Sequence, residues 1–115
     1  MGPGDNTNAS GFEHLVYLWK SVPGYSAFGS YQGNGSEDGP MIYTGFKPAF
    51  IMYKRVDIAG SWVIHDTTRN PTNPVFLRLV ANSDGNEGDA QSMIVDILSN
   101  GFKHRNSDGD LNSSG

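Results

Sequence analysis

Apolar residues in this chain occur in short runs separated by turn-forming residues, and this pattern constrains the fold more than any other feature. The runs are of strand length and rich in Val, Ile, Phe, Tyr and Trp, which favour strands. The segments between them contain Gly, Asn, Asp and Pro, which favour turns because Gly and Asn tolerate positive φ while Pro fixes φ. The predicted strands cover 12–20, 25–32, 40–44, 48–56, 61–66, 75–81, 92–98 and 101–105.

Many short strands with Gly-rich turns predict an all-β protein, an antiparallel β-sandwich of jelly-roll or lectin-like type with about eight strands. A small β-barrel is the alternative. Segment 88–98 is the only one with a helical alternative, and its Val and Ile content favours a strand. The predicted organisation is a flexible N-terminal segment 1–11, one sandwich domain 12–106 and a C-terminal tail 107–115.

Side-chain alternation assigns the faces of each strand, since successive residues point to opposite sides of a sheet. Phe50 and Met52 share one face, whereas Ile51 and Tyr53 share the other. Several runs are apolar on both faces for part of their length. Such runs are typical of central strands in a packed pair of sheets.

Composition excludes several classes of protein. The chain has no Cys, so neither a disulfide framework nor a thiolate metal site is expected, and 115 residues are enough for one domain with its own core. Its 8 basic residues are scattered among 12 acidic ones, which argues against nucleic acid as a partner. No run approaches the roughly 18 apolar residues of a spanning helix, and no signal peptide is apparent, so membrane insertion is not expected.

A four-residue pattern occurs twice, near the two ends of the sequence. Asn8-Ala9-Ser10-Gly11 is similar to Asn112-Ser113-Ser114-Gly115. Such a repeat indicates a tandem array, or a strand 12–20 that takes the place of a strand following Gly115 in the next copy.

A longer set of motifs, in one order, spans roughly residues 30–115. It comprises Tyr31-Gln-Gly-Asn-Gly-Ser-Glu-Asp-Gly-Pro40, Ile42-Tyr-Thr-Gly-Phe-Lys-Pro-Ala-Phe-Ile-Met-Tyr-Lys-Arg55, Trp62-Val-Ile-His-Asp66, Arg69-Asn-Pro71, Asn73-Pro74, Leu98-Ser-Asn-Gly-Phe-Lys103 and Asn112-Ser-Ser-Gly115.

Taken together, these motifs resemble a repeat module of bacteriophage tail and tail-fibre-like proteins, especially of marine phages. Segment 15–20 also resembles the closing strand of the lectin-like (concanavalin A-like) sandwich that often precedes such modules. The resemblance implies a β-rich fold, a structural role in a virion and homo-oligomerisation. It implies no catalytic residues.

The residues themselves also argue against an enzyme. His14, His65 and His104 are widely separated, and His65 and Asp66 would point to opposite faces of a strand. No nucleophile elbow is present, and most acidic residues fall in turns rather than in pairs across a cleft. A hydrolase is therefore the least favoured class.

Two loops carry alternating oxygen ligands of the kind that hard cations prefer. They contain Asp84, Asn86 and Asp89 in one case and Asp108, Asp110 and Asn112 in the other. Neither follows the EF-hand pattern, and Asp and Asn are common in turns because they bond their own backbone. The first set is a weak metal candidate, and no cofactor is expected.

Aromatic residues provide the remaining candidates, because an exposed ring can stack on a sugar while nearby polar groups bond its hydroxyls. Trp62 shares a face with Ile64 and is predicted to lie in the core. The candidate ligand-binding residues are Tyr43, Tyr53, His65, Arg69, Asn70 and Asn73.

The sequence thus predicts a non-catalytic structural or attachment module of a phage tail or fibre, located in the virion. Self-association through unpaired sheet edges is expected, since a free edge is a template for a neighbouring strand. The alternative is a carbohydrate-binding, lectin-like module that recognises cell-surface glycans.

Overall fold

Seven short strands and one 3₁₀ turn make up the regular structure of the chain, in a computed structural model that describes residues 10–114. In this range the chain contains no α-helix, and thus no helix long and apolar enough to cross a membrane. The strands are β1 (Met41–Tyr43), β2 (Phe50–Tyr53), β3 (Val63–Asp66), β4 (Leu77–Val80), β5 (Gly88–Asp89), β6 (Val95–Leu98) and β7 (Gly101–His104), with the 3₁₀ turn at Gln91–Met93.

The strands form two antiparallel sheets, one in the order β1-β7-β6 and the other in the order β2-β3-β4-β5. Val75 and Val95 link the two sheets, with N···O distances of 2.8 and 3.0 Å in the two directions. The predicted all-β sandwich is confirmed, with seven strands in place of eight. The short strand β5 was not predicted, because its Gly-Asp sequence is typical of a turn.

The core lies between the sheets and follows the predicted alternation. Ile51 and Tyr53 of β2 are buried, as are Val63 of β3 and Val95 of β6. The other members of the core are Val75, Ala90, Met93, Ile97, Phe102 and Leu111. Burial of these side chains supplies the main driving force for folding, at about 1.5–3 kcal/mol for each large one.

The outer face of the four-stranded sheet is apolar and exposed, which corrects the expectation that both faces would be packed. Met52 pairs with Ile64, and Ile64 pairs with Leu79, so these side chains form a row across the sheet. Phe50 is 58% exposed and Met52 44%. Trp62, predicted in the core, is 43% exposed, because its face of the sheet has no covering layer among the described residues.

Two predicted strands are absent, at 12–20 and 25–32. Segment 12–20 is irregular, and its side chains are exposed. It forms no ladder because no strand of its own chain lies beside it within residues 10–114, and an extended segment becomes a strand only by pairing. In the second segment, the chain instead makes a tight turn closed by a Val22–Ser26 bridge.

The C-terminal residues are part of the packed domain rather than a tail. Leu111 is 3% exposed and Asn112 is fully buried. Tyr31 donates its hydroxyl hydrogen to the Leu111 carbonyl oxygen at 2.7 Å, and Gly35 N donates to the Asn112 carbonyl oxygen at 2.7 Å. The packed domain therefore comprises residues 31–114 instead of the predicted 12–106.

The Gly33-Asn34-Gly35 segment packs directly against this C-terminal loop. A Cβ atom on Gly33 would lie 2.3 Å from the Ser113 carbonyl oxygen, so the position requires glycine. The glycines serve close backbone approach across the chain, and not a turn between paired strands.

Gly101 is a second site of close approach, and its replacement gives a testable prediction. A Cβ atom there would lie 2.0 Å from the Ile42 carbonyl oxygen, which would push β1 away from β7. We expect Gly101→Ala to lower the free energy of unfolding by about 1–3 kcal/mol in chemical denaturation. Gly109→Ala is the control, because no atom lies within 4 Å of its added Cβ. Equal stability of the two variants would contradict the prediction.

Candidate functional site

The six predicted ligand-binding residues do not converge on one surface. Tyr43 on β1 is 71% exposed, whereas Tyr53 and His65 point into the core. Arg69 and Asn70 follow β3, and Asn70 and Asn73 line one polar cavity of about 70 Å³. Because Tyr53 and His65 are buried, the six residues are not all accessible to one ligand.

Asn70 and Asn73 are engaged with the backbone. Asn70 Oδ1 accepts hydrogen bonds from Phe76 N at 3.1 Å and Leu77 N at 2.6 Å. Asn73 pairs with both backbone groups of Ile97, donating to its oxygen at 2.9 Å and accepting from its nitrogen at 2.8 Å. Both amides thus hold the loop 70–76 against the strands.

Arg69 is held by two carboxylates. Its guanidinium donates to Asp66 Oδ2 at 2.6 Å and to Glu87 Oε2 at 3.1 Å. Partial burial works against the charged form of Asp66, but hydrogen bonds from Arg69 and its positive charge keep the pKa of Asp66 below the ordinary value. The ion pairs tie the end of β3 to the segment that precedes β5.

The weak metal candidates lie in the loop between β4 and β5 and at β5 itself. Asp84, Asn86 and Asp89 are exposed, and Asp89 belongs to the ladder with Leu77. Among residues 10–114, no three His, Asp or Glu side chains lie close enough to hold a metal ion. In the second predicted loop, Asn112 is buried and its side chain bonds protein groups.

Two buried histidines form the least expected feature of the core. His65 on β3 and His104 on β7 are both 0% exposed. The Tyr53 ring lies 5.7 Å from each imidazole, between centroids, and Phe102 lies 5.6 Å from His104. The Tyr53 hydroxyl and His65 Nδ1 form a hydrogen bond.

Three nitrogens of this cluster have no hydrogen-bond partner: His65 Nε2, His104 Nδ1 and His104 Nε2. Burial lowers the pKa of both histidines to about 4, helped at His65 by nearby positive charge, so both rings are neutral at pH 7. Burial also raises the pKa of Tyr31 to about 12 and that of Tyr53 well above its ordinary value.

A general acid or base must lie within hydrogen-bond reach of the reacting group, and these rings are enclosed in the core. His65, predicted as a candidate ligand-binding residue, lies instead beside Tyr53 in the core.

A polar groove of about 330 Å³ lies between the 3₁₀ turn and the C-terminal loop. Glu37, Gln91, Arg105 and Asp108 are among its lining residues. Arg105 Nη1 lies 3.7 Å from Asp96 Oδ2, a long and partly exposed contact. Because the groove carries acidic and basic side chains together, its charge does not favour one class of ligand.

An extensive exposed apolar surface lies in segment 12–20, which we call the N-terminal arm. It contains Phe12, Leu15, Val16, Tyr17, Leu18 and Trp19, which are 56–88% exposed. Monomeric proteins rarely expose so many contiguous apolar side chains, and such patches mark interaction sites. The arm and the exposed sheet face are therefore the candidate interaction surfaces of the molecule.

A family model described as a domain of unknown function, DUF7483, matches residues 1–115, the whole sequence. The chain belongs to the DUF7483 family. No curated protein and no solved structure matches it. The function of this DUF7483 chain is therefore inferred from its own surfaces.

Proposed function

We propose that this DUF7483 chain is a non-catalytic structural or attachment module of a phage tail or fibre, and that it associates with copies of itself. The observation that carries the proposal is the exposed N-terminal arm. Six large apolar side chains in strand-forming sequence have no cover among residues 10–114, which is the state expected of a subunit outside its assembly.

The predicted ligand-binding residues also support the proposal, because most of them make contacts within the protein. Arg69, Asn70 and Asn73 are engaged in contacts that hold loops in place, and Tyr53 and His65 belong to the core. The tail-fibre context rests on the motif resemblance over residues 30–115. A repeating structural module fits that context, because its function resides in assembly rather than in a pocket.

Light scattering coupled to size exclusion tests the proposal on the full chain. We expect a defined oligomer that dissociates on dilution, and no specific signal on a glycan array. A monomer at every concentration would refute self-association.

The glycan array also tests the lectin alternative. Specific glycan binding by a monomer, abolished in Tyr43→Ala but kept in the matched variant Tyr25→Ala, would replace the structural role with a lectin. Both tyrosines are exposed, so neither substitution disturbs the core.

A further inference from the structure

We propose that the N-terminal arm of one copy adds a strand to the free edge of β2 in a second copy. This inference rests on the self-association in the proposed function and assigns it two surfaces. The donor is segment 12–20, and the acceptor is Phe50–Tyr53. Addition of an extended segment to a sheet edge is a common mode of recognition, in which backbone hydrogen bonds give affinity and side-chain contacts give specificity.

The acceptor edge is unpaired over its full length in the described chain. β2 pairs with β3 on one side, and no strand among residues 10–114 lies on the other. Thr67 N donates to Ala49 O at 3.0 Å, so alternation along the ladder directs the backbone groups of Ile51 and Tyr53 towards β3. The N–H and C=O groups of Phe50 and Met52 therefore face outwards.

The donor has the pattern of a strand with two apolar faces. In an extended chain, Leu15, Tyr17 and Trp19 lie on one side and Val16 and Leu18 on the other. The Tyr17 and Trp19 rings already stack, with centroids 6.0 Å apart, as residues on one side do. Beside β2, one side of the arm would cover the open flank of the core, and the other would extend the Met52-Ile64-Leu79 row.

The area of the arm is sufficient for a stable contact. Its three aromatic rings expose roughly 300–500 Å² at the areas typical of such side chains. The three aliphatic side chains bring the apolar surface towards the roughly 800 Å² that each partner contributes to a stable interface. None of these six apolar side chains belongs to the buried core of its own chain.

The C-terminal loop indicates the direction of pairing. Arg55, just after β2, donates to the Gly109 oxygen, and a Cβ on Gly60 would lie 3.4 Å from Asp110 Oδ1, so this loop adjoins the carboxyl end of β2. The arm directly follows Asn8-Ala9-Ser10-Gly11, the pattern that recurs in this loop at 112–115. A strand leaving such a loop would run back along β2, antiparallel to it.

The contacts within the described residues favour a second copy over the arm's own domain. Within the single chain, residues 10–30 make no hydrogen bond with residues 31–114. The arm is thus available to another molecule, and the contact is heterologous, between two different surfaces.

Cross-linking between two single-cysteine variants tests the contact, since the natural chain has no Cys to interfere. We expect Val16→Cys and Met52→Cys, mixed and treated with a short bis-maleimide, to give a covalent dimer that contains one chain of each. Asp84→Cys replaces Met52→Cys in the control, because Asp84 is exposed in the loop before β5. A dimer yield no higher than in the control would overturn the inference. So would a chain carrying both Val16→Cys and Met52→Cys that is cross-linked only within itself and never to a second chain.

Charged substitutions on the full chain provide the second test. Leu15→Asp combined with Leu18→Asp is expected to weaken the oligomer at least tenfold by light scattering, and Met52→Lys is expected to do the same from the acceptor side. Tyr25→Asp combined with Phe28→Asp is the matched control, on exposed apolar residues outside both surfaces. An oligomer unaffected by the arm and edge variants would overturn this inference but leave the proposed structural role standing, whereas a monomeric natural chain would refute both.

Discussion

Acidification from pH 7 to pH 4 is expected to lower the stability of the domain strongly, because two buried histidines bind protons less readily in the folded chain than in the unfolded one. The folded pKa of His65 and of His104 is about 4, against an ordinary value of 6.5. The unfolded chain therefore binds more protons than the folded one between these values, and stability falls as the pH is lowered through 6.5 towards 4.

The expected loss is large compared with the stability of a small domain. Each histidine contributes about 3 kcal/mol across this interval, at about 1.4 kcal/mol for each pKa unit, and the pair contributes on the order of 6 kcal/mol. Domains of this size have about 5–15 kcal/mol in total. Carboxylates such as Asp66 add their own loss below pH 4, so the histidine effect is separable by its pH interval.

The groups around the histidines set the size of this effect. His65 faces Tyr53 and His104, and Asp66 is the one nearby group that favours its charged form. The other groups around the pair are Tyr31, Arg69 and Arg78. Positive charge on Arg69 and Arg78 opposes protonation of His65, whereas at His104 burial alone lowers the pKa.

Urea unfolding followed by circular dichroism at a series of pH values measures the dependence. His104→Leu removes one titrating group without leaving a partner unpaired, since both imidazole nitrogens of His104 lack partners. We expect this variant to lose about half of the slope between pH 6.5 and 4. His14→Gln, on the exposed arm, should leave the slope unchanged, and a flat stability profile in the natural chain would contradict the argument.

Asn112→Ala is expected to lower the free energy of unfolding by about 3 kcal/mol, because several buried hydrogen bonds converge on this one amide. Its Oδ1 accepts from Asn34 N at 2.9 Å, and its Nδ2 donates to the Ser36 oxygen at 2.7 Å and the Asn106 oxygen at 2.6 Å. A buried polar group left without its partner costs about 1–3 kcal/mol.

Asn112→Asp separates hydrogen bonding from side-chain volume. It is nearly isosteric, yet it turns a donor into a carboxylate oxygen facing two carbonyl oxygens, so we expect it to be less stable than Asn112→Ala at pH 7. Asn86→Ala is the control, at an exposed asparagine in the loop before β5. Denaturant midpoints of the three variants measure the order, and an Asp variant as stable as the natural chain would contradict the prediction.

Much of the fold follows from local pattern. Six of the predicted runs contain observed strands, and alternation correctly separated Ile51 and Tyr53, which are buried, from Phe50 and Met52 on the opposite face. Such predictions succeed because strand geometry alone sends successive side chains to opposite sides. Alternation does not predict whether the second face of a strand is covered. In β2, the face that carries Phe50 and Met52 is exposed.

The candidate ligand-binding set illustrates the limit more sharply. Asn70 and Asn73 lie in a loop rich in Pro and Asn, as a binding loop would, but the Asn70 amide bonds the backbone of Phe76 and Leu77, and the Asn73 amide bonds the backbone of a distant strand. The Ile97 backbone lies 24 residues away from Asn73 in sequence. The sequence shows which side chains are polar. Their hydrogen-bond partners depend on which backbone segments the fold places beside them.

For this protein, the sequence by itself determined the all-β class, the positions of most strands and the division of each strand into two faces, because these depend on spacing between neighbours in the chain. Only the tertiary structure decided which face is buried, that His65 and His104 are enclosed, that Asn112 joins distant loops and that segment 12–20 pairs with no strand among residues 10–114. Pairing and enclosure depend on residues far apart in sequence, so no local pattern contains them.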